Sequence, residues 1–166
     1  MAAPSPLLEK LLQAKQVRDI HSDMLAQVLV HEFCKGGYRE RHIRRLKRIY
    51  KERHDAMIAA LSASFPEEVS WVTPHGGFSV WMALPPLMDA EGLLDIARQH
   101  GVTFSLGRPY HVDGGGANTL RLSFSQLKPD QIQEGVKRLS LTFAEYREAF
   151  RKKRTLLHRE AYVPFV

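Results

Sequence analysis

Two stretches decide the fold: Val72-Thr-Pro-His-Gly-Gly-Phe-Ser-Val-Trp-Met-Ala-Leu-Pro-Pro86 and Asn118-Thr-Leu-Arg-Leu-Ser-Phe-Ser125. In the second, Leu120, Leu122 and Phe124 alternate with Thr119, Arg121, Ser123 and Ser125, so a strand there buries the apolar set and turns Arg121 to the opposite face. In the first, Phe78, Val80 and Met82 fall on one side of a strand over Phe78–Leu84, and Ser79, Trp81 and Ala83 on the other. Pro85-Pro86 ends it. An arginine on a rigid ribbon has two readings. It is either an ordinary solvated side chain, or a fork that grips a planar carboxylate through parallel charge-assisted hydrogen bonds, which a lysine cannot copy.

Working outward, Val69–Val72 reads as a short strand and Pro74-His-Gly-Gly77 as a turn. A helix over Glu91–His100 runs through Leu93, Leu94 and Ile96 and stops at Gly101. Val102–Leu106 is expected to be a third strand, and Gly107–Asn118 a loop rich in turn formers. Pro129-Asp130 opens a last helix with the stripe Ile132, Val136, Leu139, Leu141 and Phe143, which the basic tail after Arg147 can continue before Pro164.

Upstream the period is helical throughout. Pro6–Val17 carries Leu7, Leu8, Leu11 and Leu12, with Ser5 as N-cap and Pro6 at the first helical position. A second helix starts at Ser22 or Asp23 and ends at Gly36-Gly37; its Met24, Leu25, Val28, Leu29, Val30 and Phe33 cover more than one stripe, so it wants neighbours on several sides. Tyr38 to about Ser64 has no glycine or proline, and Ile43, Leu46, Tyr50, Met57 and Leu61 make one stripe on a helix of about 25 residues, roughly 38 Å long. Such a helix suits a bridge between two bodies. The order is helix, helix, long helix, β-β-α-β-β-α, a mixed α/β chain in which helices cover a sheet. It shows no internal repeat.

At 166 residues and 44% apolar composition the chain can bury a real core. The charge of +6 is concentrated in Lys35–Arg53 and Arg147–Arg159, a pattern that more often marks solvated helix faces than a nucleic-acid site. Cys34 is the single cysteine, so no intrachain disulfide forms; the start Met1-Ala-Ala-Pro-Ser-Pro is not a signal peptide, and no apolar run reaches membrane-spanning length. A soluble, cytoplasmic protein is expected.

Composition gives no reaction. Gly114-Gly-Gly lacks the Lys-Ser/Thr of a phosphate-binding loop and reads as a turn, His31 and Cys34 offer a metal two ligands at best, and no nucleophile elbow is present. The motifs taken together are more telling. Pro74-His-Gly-Gly-Phe-Ser-Val-Trp, Gly101-Val-Thr-Phe-Ser-Leu-Gly, Asn118-Thr-Leu-Arg-Leu-Ser-Phe-Ser and Ile132-Gln-Glu-Gly-Val-Lys-Arg-Leu, in that order, resemble the C-terminal small domain of fold type I, class I/II pyridoxal-phosphate aminotransferases. Within that group the chain is most similar to the 2-aminoadipate/kynurenine branch and to the aminotransferase-like half of MocR regulators. Pro6-Leu-Leu-Glu-Lys-Leu-Leu, Ser22–Gln27 and His42-Ile-Arg-Arg-Leu-Lys-Arg-Ile-Tyr-Lys-Glu-Arg-His-Asp match the helices that lie upstream of that domain, so the likeness runs over residues 5–148.

The resemblance implies a helical remnant of the large cofactor-binding domain over 1–37, a bridging helix with the small domain over 38–150, and a basic tail over 151–166. It implies that Arg121 binds the α-carboxylate of an α-amino acid or 2-oxo acid, that Ser79 lines the side-chain pocket, and that Ser22 approaches pyridoxal 5'-phosphate across a dimer interface, although Ser22 serves equally as a helix cap. The family carries the cofactor as a Schiff base on a lysine in a Ser-x-x-Lys context. None of Lys10, Lys15 or Lys35 has that context, and Lys128, which has the spacing in Ser125-Gln-Leu-Lys128, follows the last strand, whereas the family's lysine precedes the helix that begins here at Pro6. This chain is therefore expected to hold no catalytic residue of its own, to bind no cofactor covalently and not to transaminate alone. Gly107-Arg-Pro-Tyr110 also departs from the family's usual loop, which leaves the substrate's distal group open. A homo-oligomer, or a missing large domain, would complete the site; a partner chain supplying the cofactor half is another possibility. The competing reading is the effector-binding or dimerisation part of a MocR-like regulator, or a basic nucleic-acid-binding module.

Overall fold

The computed structural model describes residues 3–19 and 21–160, with side chains as far as Lys152. In chain order the elements are α1 (Ser5–Arg18), α2 (Met24–Lys35), α3 (Tyr38–Ser64), β1 (Ser70–Val72), β2 (Ser79–Ala83), α4 (Ala90–Gln99), β3 (Ser105–Leu106), a single 3-10 turn at Arg108–Tyr110, β4 (Thr119–Ser123) and α5 (Pro129–Glu160). The chain forms two units, Met1–Lys47 and Arg48–Val166, and the boundary between them falls inside α3.

In the second unit the two alternating stretches pair with each other. The sheet is antiparallel in the order β1-β2-β4-β3, with Val80 opposite Leu122 and Met82 opposite Leu120 on the face turned to the core. Met57 and Leu61 of α3, Leu93 and Ala97 of α4, and Ile132, Val136, Leu139 and Phe143 of α5 complete one cluster with Phe124. Arg53 donates to the carbonyl of Ser125, tying α3 to the chain just beyond β4. This is the α/β architecture expected from the sequence.

Four local expectations need correction. Only Ser105–Leu106 of the segment 102–106 joins the sheet, because the Val102 amide still donates to the Ala97 carbonyl (2.9 Å) and closes the end of α4 after Gly101 turns left-handed at φ +71°. Leu141 is 62% exposed while Thr142 is buried and donates to the Arg138 carbonyl (2.8 Å); Leu141 lies about two and a half turns beyond Ile132, on the far side of the helix. Phe78 follows the inward alternation but sits past the end of β2, half-exposed, with its ring 4.6 Å from that of Tyr50. Ser5 lies inside α1, whose cap position is Pro4 with no side-chain hydrogen bond, and Pro6 is therefore second rather than first.

In the first unit, Asp23 caps α2 by accepting from the Ala26 amide (3.1 Å), so Ser22 is not the cap. Gly37, at φ +71°, turns the chain between α2 and α3. Neither α1 nor α2 has a buried residue, and Met24, Leu25, Val28, Leu29 and Val30 are each more than half exposed. Among the described residues no helix is long and apolar enough to cross a membrane.

Leu61 is fully enclosed, so Leu61→Ala should cost about 3 kcal/mol in urea denaturation of the full chain, whereas Leu141→Ala should change stability by less than about 0.5 kcal/mol. A pH effect is also expected. Burial pushes the Tyr146 hydroxyl above the ordinary tyrosine value, against a smaller opposing effect of a hydrogen bond to the Asp89 backbone. A raised folded value means that the folded chain holds the proton longer than the unfolded one. Its contribution is thus complete below about pH 10 and lost as pH rises through the folded value. The fall of Tm on the alkaline side should be shallower in Tyr146→Phe than in the wild type.

Candidate functional site

The sheet face away from the core carries the side chains of interest. Arg121 projects from β4, an inner strand, directly opposite Trp81 of β2 and Ser105 of β3. Its Nη2 donates to Ser105 Oγ over 3.4 Å, a long bond, and its guanidinium carbon lies 5.1 Å from the centre of the Tyr110 ring. Its Nε is buried without an acceptor. Among the described residues no carboxylate lies within 4.0 Å of the guanidinium. A half-buried cation with an unmet donor and no counter-ion is costly unless an anion joins it, since an unsatisfied buried group forfeits about 1–3 kcal/mol.

The loop over 107–118 builds one wall. Gly107 donates from its amide to the Thr119 carbonyl (2.8 Å), extending the β3–β4 ladder, and a Cβ there would collide with the Thr119 side chain. The 3-10 turn then brings Tyr110 over Arg121, the Tyr110 amide donating to the Gly107 carbonyl (2.8 Å). Tyr110 meets Trp81 edge-on at 5.8 Å, and His111 lies 5.9 Å from Trp81 on the same side. The loop returns through Gly114 (φ +75°) and Gly116 (φ +72°), so the triple glycine makes a turn, as its composition suggests. Thr119 fixes the return by donating its hydroxyl to the Gly116 carbonyl (2.7 Å). Asn118 ties the loop's end to the residue just after β2 by donating its side-chain amide to the Leu84 carbonyl (2.7 Å).

Of the residues singled out in the sequence, the structure brings Arg121 and Ser79 onto one face. Ser79 pairs with Ser123, one side-chain repeat along the strand from the Trp81–Arg121 pair, and is partly exposed. Ser22 belongs to the first unit, where it is exposed and its hydroxyl accepts from Lys15 Nζ at 3.4 Å. Trp81 and Tyr110 stand beside Arg121, and sequence reasoning singles out neither. The alternation of β2 does put Trp81 beside Arg121, but nothing local shows that a turn after β3 folds Tyr110 back over β4.

Part of the basic charge in the stretch 35–53 is met by nearby carboxylates. Arg39 pairs with Glu40 (2.7 Å) and Lys51 with Asp55 (2.5 Å). The Glu40 carboxyl is held below its usual range by a backbone hydrogen bond and then by Arg39, and that of Asp55 by Lys51 and then His54.

The family model for aminotransferase class I and II matches residues 6–139. The chain belongs to that family. It is 48% identical over 132 residues to a 2-aminoadipate transaminase of Thermus thermophilus, an overlap that takes in 80% of this chain and 33% of the relative. Among solved structures it superposes at a TM-score of 0.81 and 44% identity on LysN, an α-aminoadipate aminotransferase also from Thermus thermophilus and complexed with N-(5'-phosphopyridoxyl)-L-leucine, over 89% of this chain and 38% of that one. A kynurenine aminotransferase of Pyrococcus horikoshii matches at a TM-score of 0.79 and 36% identity, over 84% and 35% of the two chains. HTH-type transcriptional regulators of Bacillus subtilis match at 28% and 29% identity. The chain thus spans about a third of the length of the enzymes it is similar to.

The contact of Gly107 with Thr119 generates a prediction. Gly107→Ala should cost about 1–3 kcal/mol in urea denaturation and shift the Trp81 indole resonance, because the turn must lift off β4. Gly76→Ala, where no heavy atom lies within 4 Å of the added carbon, should do neither.

Proposed function

We propose that this chain is the small-domain part of an aminotransferase that moves an amino group between an α-amino acid and a 2-oxo acid, with Arg121 as the grip for the substrate α-carboxylate. The observation that carries this reading is the unpaired guanidinium on the sheet face: an inner-strand arginine, half-buried, with an unmet Nε donor and no carboxylate beside it among the described residues. A substrate carboxylate supplies the missing charge and strong acceptors for the Nη groups at the open end of the fork. Ser79, on the same face, lines the pocket for the substrate's side chain. Residues 38–150 act as the small domain and its bridging helix, residues 1–37 as helices of the large domain, and residues 151–166 as a basic tail.

The cofactor of the complete protein is pyridoxal 5'-phosphate, in keeping with the phosphopyridoxyl ligand of LysN. The chemistry of these residues fits the substrate anion far better than the cofactor. Ser22 is the cofactor contact suggested by the sequence, and the neighbouring Lys15 is already engaged with Asp19 at 2.7 Å. When bound, the cofactor supplies the electron withdrawal that acidifies the substrate Cα–H. The part played by this chain is orientation: Arg121 fixes the carboxylate by two points, so that the Cα–H bond is presented in one direction to the base that removes the proton. The one Ser-x-x-Lys of the sequence, Ser125-Gln-Leu-Lys128, lies between β4 and α5 rather than upstream of α1, where the family's cofactor lysine falls, so the 166 residues alone do not transaminate. Incubation with pyridoxal phosphate followed by borohydride should leave no lysine labelled stoichiometrically. A single stoichiometric label with turnover would overturn this part of the reading, and DNA binding that falls steeply with salt would instead favour the basic-module alternative.

In a protein that also carries the cofactor lysine, Arg121→Lys should raise KM for the amino acid roughly 10- to 100-fold, the loss of a bidentate charge-assisted contact, while cofactor affinity changes less than about twofold. Equal losses of both would count against the assignment.

A further inference from the structure

We propose that Tyr110 is the positioning residue for Arg121: its ring sets the plane of the guanidinium and leaves the charge free for an incoming carboxylate. This deepens the carboxylate-grip reading and rests on it. Three observations converge on the ring. First, Arg121 has few anchors. Its hydrogen bond to Ser105 is 3.4 Å long and its Nε has no acceptor, so hydrogen bonding alone does not fix the guanidinium plane. Second, the Tyr110 ring centre lies 5.1 Å from the guanidinium carbon, within cation–π range, and is itself braced edge-on by Trp81 at 5.8 Å with an interplanar angle of 87°. Third, the placement of the turn is enforced rather than incidental, because Gly107 is hydrogen-bonded to the Thr119 carbonyl and leaves no room for a side chain.

A π-face orients a cation without neutralising it. A carboxylate in the same place would compete with the substrate for the same N–H groups. The one acidic residue of the loop, Asp113, is directed elsewhere, accepting from the Gly115 amide (3.0 Å) and standing 3.9 Å from His111 Nδ1. The loop thus offers Arg121 an aromatic face and keeps its only anion away. The relevant part of Tyr110 is the ring, since no hydrogen bond engages its hydroxyl among the described residues, and the side chain is 54% exposed, so replacing it spares the core.

The test uses the full chain and the Nε–Hε resonance of Arg121, with pyruvate as the carboxylate probe and sodium chloride as the ionic-strength control. Tyr110→Phe should keep the ring-current shift, the slow rotation of the guanidinium and the pyruvate response. Tyr110→Leu should lose the shift, rotate on the order of three- to tenfold faster, and bind pyruvate weaker by a similar factor. An unchanged shift and rotation in Tyr110→Leu overturns the role of Tyr110, as does a pyruvate response equal to that of the wild type, and in that last case the carboxylate grip stands. An Arg121 signal unmoved by pyruvate in the wild-type chain overturns the grip itself.

Discussion

The register between β2 and β4 is the constraint on which the rest of this chain depends. Five residue pairs, from Ser79 with Ser123 to Ala83 with Thr119, put Val80, Met82, Leu120 and Leu122 under the helices and, by the same alternation, Trp81 and Arg121 side by side on the other face. A slip of one residue would exchange the two faces completely. It would drive a guanidinium into a core built from Leu61, Phe124 and Phe143 and expose the leucines, so burial fixes the position of the site's central charge. Packing and presentation are one decision here. The core does not merely support Arg121 but dictates which way it points.

Much of this is legible in the sequence for the same reason. Period-two alternation over 78–84 and 119–125 is a direct statement about which side chains face inward, and it turns Arg121 and Ser79 each away from the core, as the register has them. Helical spacing locates Met57, Leu61, Ile132, Val136, Leu139 and Phe143, all of them buried. The errors arise where local pattern and geometry part company. Hydrophobicity points to Leu141 where helical angle does not, and the buried position beside it is taken by Thr142, a polar residue made tolerable by a bond to its own helix. The segment 102–104 has strand-like residues, yet the end of α4 claims the Val102 amide first.

Tyr110 and the cap of α2 are less accessible for another reason. Whether Ser22 or Asp23 caps a helix depends on a single hydrogen bond that either side chain could make. The approach of Tyr110 to Arg121 depends on the close fit of Gly107 on Thr119, two residues that no sequence periodicity connects. Family membership fixes the fold of the second unit and sets the chemistry in context, but it does not specify how one loop meets one strand. The apolar residues exposed along α2 stand in a chain whose matched part spans about a third of the length of its relatives.

Thr119 receives the loop at both of its ends: its carbonyl takes the Gly107 amide, while its amide and hydroxyl meet the Gly116 carbonyl at 3.0 and 2.7 Å. Everything between the Tyr110 turn and Gly116 therefore hangs from a closed clasp, with fully exposed Val112 near its tip. Residues can be inserted or exchanged at that tip with little strain reaching Arg121, since lengthening such a loop adds only a few tenths of a kcal/mol of closure entropy. The tip is thus the part of this surface most free to diversify between relatives while the grip on the strand below stays the same.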